Sequence, residues 1–177
     1  MQGTLFDDIE EIEIQRPTPP VAPETSSFER LNKEKELVGI YLSAHPLDDY
    51  KTEITIACNA DIGQLNDTIA LDRKYGAGQI VVAGVIRSVE EILTKRNTSL
   101  TKFTIEGYAG EVTITSLTKK IQDYKHLLFV NSFVVLTGKL EYTWRAINAQ
   151  RNQRDGKPTS DNPEEKEFAV NRIEELS

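Results

Sequence analysis

The side chains best suited to hold a polyanion stand together in the middle of the chain. Lys95 and Arg96 adjoin within Thr94-Lys-Arg-Asn-Thr98, with Arg87 before them and Lys102 after them. Ammonium and guanidinium groups neutralise phosphates, and the hydroxyls of Ser88 and Thr98 add hydrogen bonds to the same ligand. Bases need flat partners, and the candidates are Phe103, Tyr108, Tyr142 and Trp144, the last beside Arg145. Phe103 reads as core. Tyr142 and Trp144, one residue apart at the end of a predicted strand, share a face and form either a stacking platform or a lid on the core. The bland reading of Lys95 and Arg96 is a solvated hairpin tip.

Catalytic chemistry finds less support. His45 lies near Asp48 and Asp49, but His45-Pro-Leu-Asp48 has no accompanying nucleophile and reads as a turn that docks a helix on the core. Asp48, Asp49 and Asp61 do not make a two-metal site, which needs carboxylates held rigidly about paired ions. The single cysteine, Cys58, excludes an intramolecular disulfide and reads as a small buried hydrophobe. Two histidines far apart provide no zinc spacing. No catalytic residue, metal site or cofactor is therefore expected.

Charge refines the picture. The net charge of -7 by itself argues against nucleic acid, yet the distribution of that charge points the other way. Residues 1–36 carry nine acids against four bases and residues 161–177 six against two, whereas Arg87 to Lys157 contains twelve bases against seven acids. A basic domain sits inside an acidic chain. No run approaches the roughly 20 apolar residues of a membrane span, and the acidic N-terminus lacks a signal peptide's cationic start, so a cytoplasmic protein is expected.

These residues need elements to position them. Asp7 to Ser27, acidic and then rich in proline, predicts a disordered linker. Ser26 and Glu29 fit a capping box, and Phe28, Leu31, Val38 and Leu42 predict a helix from Phe28 to Leu42 that must stop before Pro46. Strands are predicted at Gln79–Val89, Lys102–Glu106, Glu111–Ser116, Ser132–Tyr142 and Phe168–Ile173, with a bend or bulge at Gly84 and a short helix at Lys119–Leu128. The polar stretch Ala149–Glu165 reads as a mobile loop. Three strands, a helix and two strands is the order of an OB-fold, a five-stranded Greek-key barrel. The expected fold is thus mainly β with α: a tail and linker at 1–27, a helical segment at 28–75 packing on the barrel, and an OB domain at 76–177.

One run is more specific. Glu34-Lys-Glu-Leu-Val-Gly-Ile-Tyr-Leu-Ser-Ala-His-Pro-Leu-Asp48 resembles the segment preceding the OB domain in bacterial DNA polymerase III alpha subunits. Val82-Ala-Gly-Val-Ile86, Thr94-Lys-Arg96, Tyr124-Lys-His-Leu-Leu128 and Val134-Val-Leu-Thr-Gly138 follow in that family's order. The similarity covers residues 28–145 well. The chain departs from it with Asn97 where glycine is frequent, a residue that tolerates a left-handed turn, with Glu106-Gly107 in place of an acidic dipeptide, and with a long loop after Ala149. The resemblance implies a C-terminal fragment without the polymerase's catalytic palm, which binds single-stranded DNA and works with other holoenzyme subunits. It also implies that Gln2-Gly-Thr-Leu-Phe6 is similar to the family's sliding-clamp motif, with Leu5 and Phe6 as apolar anchors and Gln2 fixing orientation.

Three functions are thereby set against one another. The first is a DNA-guiding and clamp-tethering module, monomeric as a fragment and without membrane contact. The second is a structural or protein-interaction OB domain, and the third an OB-fold accessory domain of another enzyme, for which the required lysine motif or metal cluster is missing.

Overall fold

The computed structural model of the chain describes residues 26–176. Five strands, β1 (Ile80–Leu93), β2 (Ser99–Gly107), β3 (Gly110–Leu117), β4 (Phe133–Tyr142) and β5 (Lys166–Glu175), form one sheet in the order β3-β2-β1-β4-β5. Every neighbouring pair is antiparallel. The outer strands β3 and β5 approach each other across a groove of about 120 Å3, so the sheet curls into a partly open barrel. That order, with a helical turn between β3 and β4, is the OB topology. The turn is two 3-10 helices, Thr118–Lys120 and Gln122–Leu127, instead of the one helix expected. Its apolar residues still point inward, with Ile121 fully buried and Leu128 nearly so.

Close approach dictates two glycines. A Cβ on Gly84 would lie 2.5 Å from the Glu106 carbonyl oxygen, and one on Gly138 would lie 2.3 Å from that of Ala169. The predicted bulge at Gly84 is displaced: β1 slips register against β2 between Ile86 and Ser88, at Arg87. Gly84 stays in regular pairing with Val134, and its missing side chain admits the neighbouring strand.

Upstream, α1 (Ser27–Val38) starts with the Ser26 hydroxyl accepting the Glu29 amide at 3.2 Å. It ends earlier than expected because Gly39 turns left-handed at φ +87° and donates its amide to the Lys35 carbonyl. A 3-10 turn (Asp48–Tyr50), α2 (Lys51–Ala57), a second 3-10 turn (Ile62–Asn66) and α3 (Thr68–Tyr75) lead to the barrel. Ile62, Leu65 and Leu71 join Ile86, Phe103, Ile105 and Leu136 in the main core. A second cluster lies outside the barrel wall, where Leu47, Phe28, Tyr50, Ile54 and Cys58 pack on Ala83, Val85, Phe133, Val135 and Leu176. The wall is covered on both sides there, which is why Val82–Ile86 is a continuous buried run instead of an alternating one.

The largest departure from expectation is α4 (Trp144–Arg154), which occupies the first part of the stretch read as a loop. Thr143 caps it by accepting the Ala146 amide at 3.1 Å, and also donates to the Glu165 carboxylate at 2.9 Å. Only Ala146 and Ala149 are buried, so the helix lacks the apolar periodicity that reveals most helices. The rest of the loop is tied back, the Gln150 amide donating to the Pro163 carbonyl.

Candidate nucleic-acid interface

The helical segment covers the outer side of β1 and β4 and leaves the outer side of the distal half of β1, β2 and β3 bare. Three cross-strand rows make up this bare face. Ser88, Thr104 and Thr113 are in register, as are Glu90, Lys102 and Thr115, and then Ile92, Leu100 and Leu117. Thr104 and Thr113 share a hydroxyl hydrogen bond of 3.0 Å. The β1–β2 hairpin stands at the apolar end. Its loop is closed by the Thr94 amide donating to the Thr98 carbonyl at 2.9 Å, and Asn97 takes the left-handed φ of +58° that the family's glycine would supply. Lys95 and Arg96 are exposed at the tip, and neither they nor Lys102 has a carboxylate partner among the described residues.

The other candidates fall elsewhere. Phe103 is fully buried, as expected. Tyr108 sits at the β2–β3 turn against His45, ring centroids 4.6 Å apart. Burial and an Asp48 hydrogen bond push its phenol up to about 12. Tyr142 ends β4, but Trp144 opens α4, so the pair does not share a strand face. The Thr143 cap redirects the chain between them. Both are exposed, Trp144 at 66%, and Arg145 is exposed beside it. Lys166 Nζ lies 5.1 Å over the Tyr142 ring and 2.7 Å from Asp72. Gln2, Leu5 and Phe6, with the linker up to residue 25, lie outside the described residues.

Arg87 does not join the hairpin cations. It stands in the β1 bulge at the border between covered and bare wall, paired with Glu106. Lys35 from α1 pairs with the other oxygen of the same carboxylate, and the Tyr41 hydroxyl donates to it at 3.2 Å. The remaining guanidinium donors go to Tyr41, Asn32 (3.0 Å) and Asn131 (3.1 Å). Burial alone would raise the Glu106 carboxyl, but Lys35 and Arg87 hold it below its ordinary value. Tyr41 is pushed up to about 12 by burial, with Glu106 adding to the rise and Arg87 opposing it. Sequence reading missed this cluster, because its members are 71 and 19 residues from Glu106. The one available signal was an acid at the apolar end of the strand, directly after Ile105.

The His45 turn closes in the same region. Asp48 Oδ2 accepts the His45 amide at 2.7 Å, His45 Nδ1 accepts the Leu47 amide at 3.2 Å, and Leu47 is wholly buried. His45, Leu47 and Asp48 thus each have a structural part in the turn. Burial lowers the His45 imidazole, against the pull of Glu106 and Asp48. Cys58 is half-buried in the second cluster, and burial raises its thiol. Among the described residues, no group of three or more His, Cys, Asp or Glu side chains is placed to hold a metal ion, and no helix is long and apolar enough to cross a membrane.

Fold and face together define an OB-fold domain with a basic hairpin beside an open sheet surface. No family model matches the chain. Over most of its length, however, it aligns with DNA polymerase III alpha subunits: 28% identity over 142 residues with that of Treponema pallidum, 34% over 120 with that of Borreliella burgdorferi, and 28% over 142 with that of Vibrio cholerae. These alignments cover 80%, 67% and 80% of the chain and 12%, 10% and 12% of the relatives. The chain therefore resembles a bacterial DNA polymerase III alpha subunit and spans about a tenth of the length of the relatives it matches. A crystal structure of yeast Stn1 and Ten1 shares 14% identity at a TM-score of 0.43, covering 68% of this chain and 63% of that one. The OB assignment rests on strand order instead.

Proposed function

We propose that the chain is a non-catalytic OB module of a replicative polymerase that guides single-stranded template DNA over the bare sheet face. Residues 76–177 carry DNA, 28–75 cover and brace the opposite wall, and 1–27 tether the module to the sliding clamp through Gln2, Leu5 and Phe6. Other holoenzyme subunits are its further partners, its place is the bacterial cytoplasm, and the fragment itself is a monomer.

The observation that carries this reading is the hairpin. Lys95 and Arg96, without carboxylate partners among the described residues, border a sheet face presenting threonine hydroxyls and Lys102, the last in register with Glu90. Cations held clear of acids keep their full field for phosphate, whereas a paired cation such as Arg87 must first break its own contacts. Few such contacts mean weak, salt-sensitive binding with little sequence preference.

Fluorescence anisotropy with oligo-dT across a salt series tests it. Lys95→Glu with Arg96→Glu should weaken binding and reduce the slope of log K against log salt by about 0.7 per lost contact. Thermal stability should hardly change, since both side chains are exposed. One feature favours a second reading. Ile92, Leu93 and Leu117 expose apolar surface beside the hairpin, 68% for Leu93, as a protein-binding face would. An unchanged slope in the double variant would move the assignment there.

A further inference from the structure

The bare face ends in a surface that is both apolar and cationic. Ile92, Leu100 and Leu117 form its last cross-strand row, with Ile92 and Leu117 exposed and Leu93 beside them more so. Lys95 and Arg96 stand just beyond that row at the hairpin tip, Lys102 one row before it, and Lys119 two residues past Leu117. All four cations are exposed, and none has a carboxylate partner among the described residues. Glu90, opposite Lys102, is the one acid in the three rows of the face. Water suits the charges but not the aliphatic side chains, and apolar groups gathered inside a charged rim mark a surface that receives a partner. An occupant that satisfies both parts must interleave acids with aliphatic residues.

The chain carries a segment of that composition. Asp7-Asp-Ile-Glu-Glu-Ile-Glu-Ile14 holds five acids, three isoleucines and no base in eight residues. A spacer stays soluble through its charge and gains nothing from isoleucines, whose exposure to water is unfavourable, so their place among the acids calls for a matching surface. The tether is long enough. Residues 15–25, which join the segment to the start of α1, span at most roughly 36–40 Å when extended. Phe28 in the first turn of α1 packs on Phe133, and Phe133 is in register with Val85. From Val85 to Lys95 is about 33 Å along a straight strand, and the curl of the barrel shortens that path. A ligand tethered in this way binds at a raised effective concentration, which a partner free in solution lacks.

We propose that Asp7–Ile14 folds back onto the β1–β2 hairpin, with its isoleucines on the row of Ile92, Leu100 and Leu117 and its carboxylates on Lys95, Arg96 and Lys102. The chain then supplies its own ligand for this surface, and any other polyanion reaching the hairpin has to displace it. The contact needs no DNA and does not rest on the function proposed above. Carbodiimide cross-linking of the full chain tests it, because the reagent joins a carboxylate to an amine only where the two touch. In a dilute equal mixture of isotope-labelled and unlabelled chain, mass spectrometry should find the acids of residues 7–13 joined chiefly to Lys95 and Lys102 of the same chain. Lys51 and Lys74, exposed on the helical segment, are the reference. Ile9→Ser with Ile12→Ser and Ile14→Ser keeps every charge, yet should cut the yields at Lys95 and Lys102 about tenfold, as loss of buried aliphatic contact requires. Lys95→Gln with Arg96→Gln, both at exposed positions, should lower the yield at the untouched Lys102. Yields at Lys95 and Lys102 no higher than at Lys51 and Lys74 would overturn the proposal and leave the surface to a separate partner. Yields unaffected by the serine substitutions would overturn it too, since charge alone would then hold the segment. A predominance of products joining labelled to unlabelled chain would replace it with a contact between two copies.

Discussion

Glu106 shows how one residue divides the molecule's surface. It points outward from β2, where a side chain would ordinarily meet water, yet its side chain is only 9% exposed because Lys35, Tyr41 and Arg87 close over it. Removing one member of a buried charge cluster leaves the others uncompensated, at a cost of about 3 kcal/mol. The pH dependence has a definite sign. A carboxyl held below its ordinary 4.5 contributes stability that is fully present above that value and is lost as pH falls through the lower folded value. His45, lowered from 6.5 mainly by burial, acts in the same direction but earlier: acid protonates the unfolded chain first, so stability begins to fall below about 6.5. Urea unfolding at several pH values should show both limbs in the wild type. Glu106→Gln should be less stable at pH 7 and show a shallower limb below 4.5, where Glu34 still contributes, and a deeper histidine limb, because Glu106 no longer opposes the effect of burial on His45; an unchanged acid limb would mean that the cluster adds nothing to stability.

Among the elements, β1 does the most. Its first half pairs with β4 and is buried on both faces, and its second half pairs with β2 and carries the hairpin. The bulge at Arg87 marks the change. The matching irregularity on the other side of the barrel is between Thr137 and Gly138, where β4 shifts against β5. A methyl group on Gly138 would meet the Ala169 carbonyl oxygen at 2.3 Å and the Phe168 ring at 2.7 Å, and backbone in a paired strand has little room to yield. Gly138→Ala should therefore cost about 1–3 kcal/mol by overpacking, while Lys139→Ala, exposed on the same strand, should stay within about 0.5 kcal/mol. Differential scanning calorimetry compares the two, and equal melting temperatures would show that the strand moves aside freely. Helix α4 is the opposite kind of element, held by a threonine cap and two alanines, with its outer side exposed.

For the whole molecule, reach matters more than any single contact. The clamp-like residues Gln2, Leu5 and Phe6 are separated from α1 by about 21 residues, and a flexible chain of that length reaches on the order of 25 Å. On the proposed function, two weak contacts joined over such a length would raise each other's effective concentration. Leu5→Ala with Phe6→Ala should abolish binding to immobilised sliding clamp in surface plasmon resonance and leave oligo-dT affinity as it was. Equal clamp binding by both chains would reduce Gln2-Gly-Thr-Leu-Phe6 to a chance match.

Local chemistry determined much of this protein in advance. Runs of β-branched residues placed all five strands, their order named the OB-fold, and His45-Pro-Leu-Asp48 with its neighbours pointed to the polymerase relatives, because hydrophobic pattern and turn residues act over short spans. Asn97 was legible for the same reason, its left-handed turn being a property of the residue itself. The tertiary structure decided what depends on distant partners. Arg87 looked like a free cation until Glu106 and Asn32 were brought to it, and the expected packing of the helical segment on the barrel took its place on the wall when Leu47 and Phe28 met Ala83, Val85 and Phe133. Trp144 looked like the continuation of a strand until Thr143 found Ala146 and Glu165. A cap or an ion pair is a relation between positions, and where the positions are far apart only the folded chain brings them together.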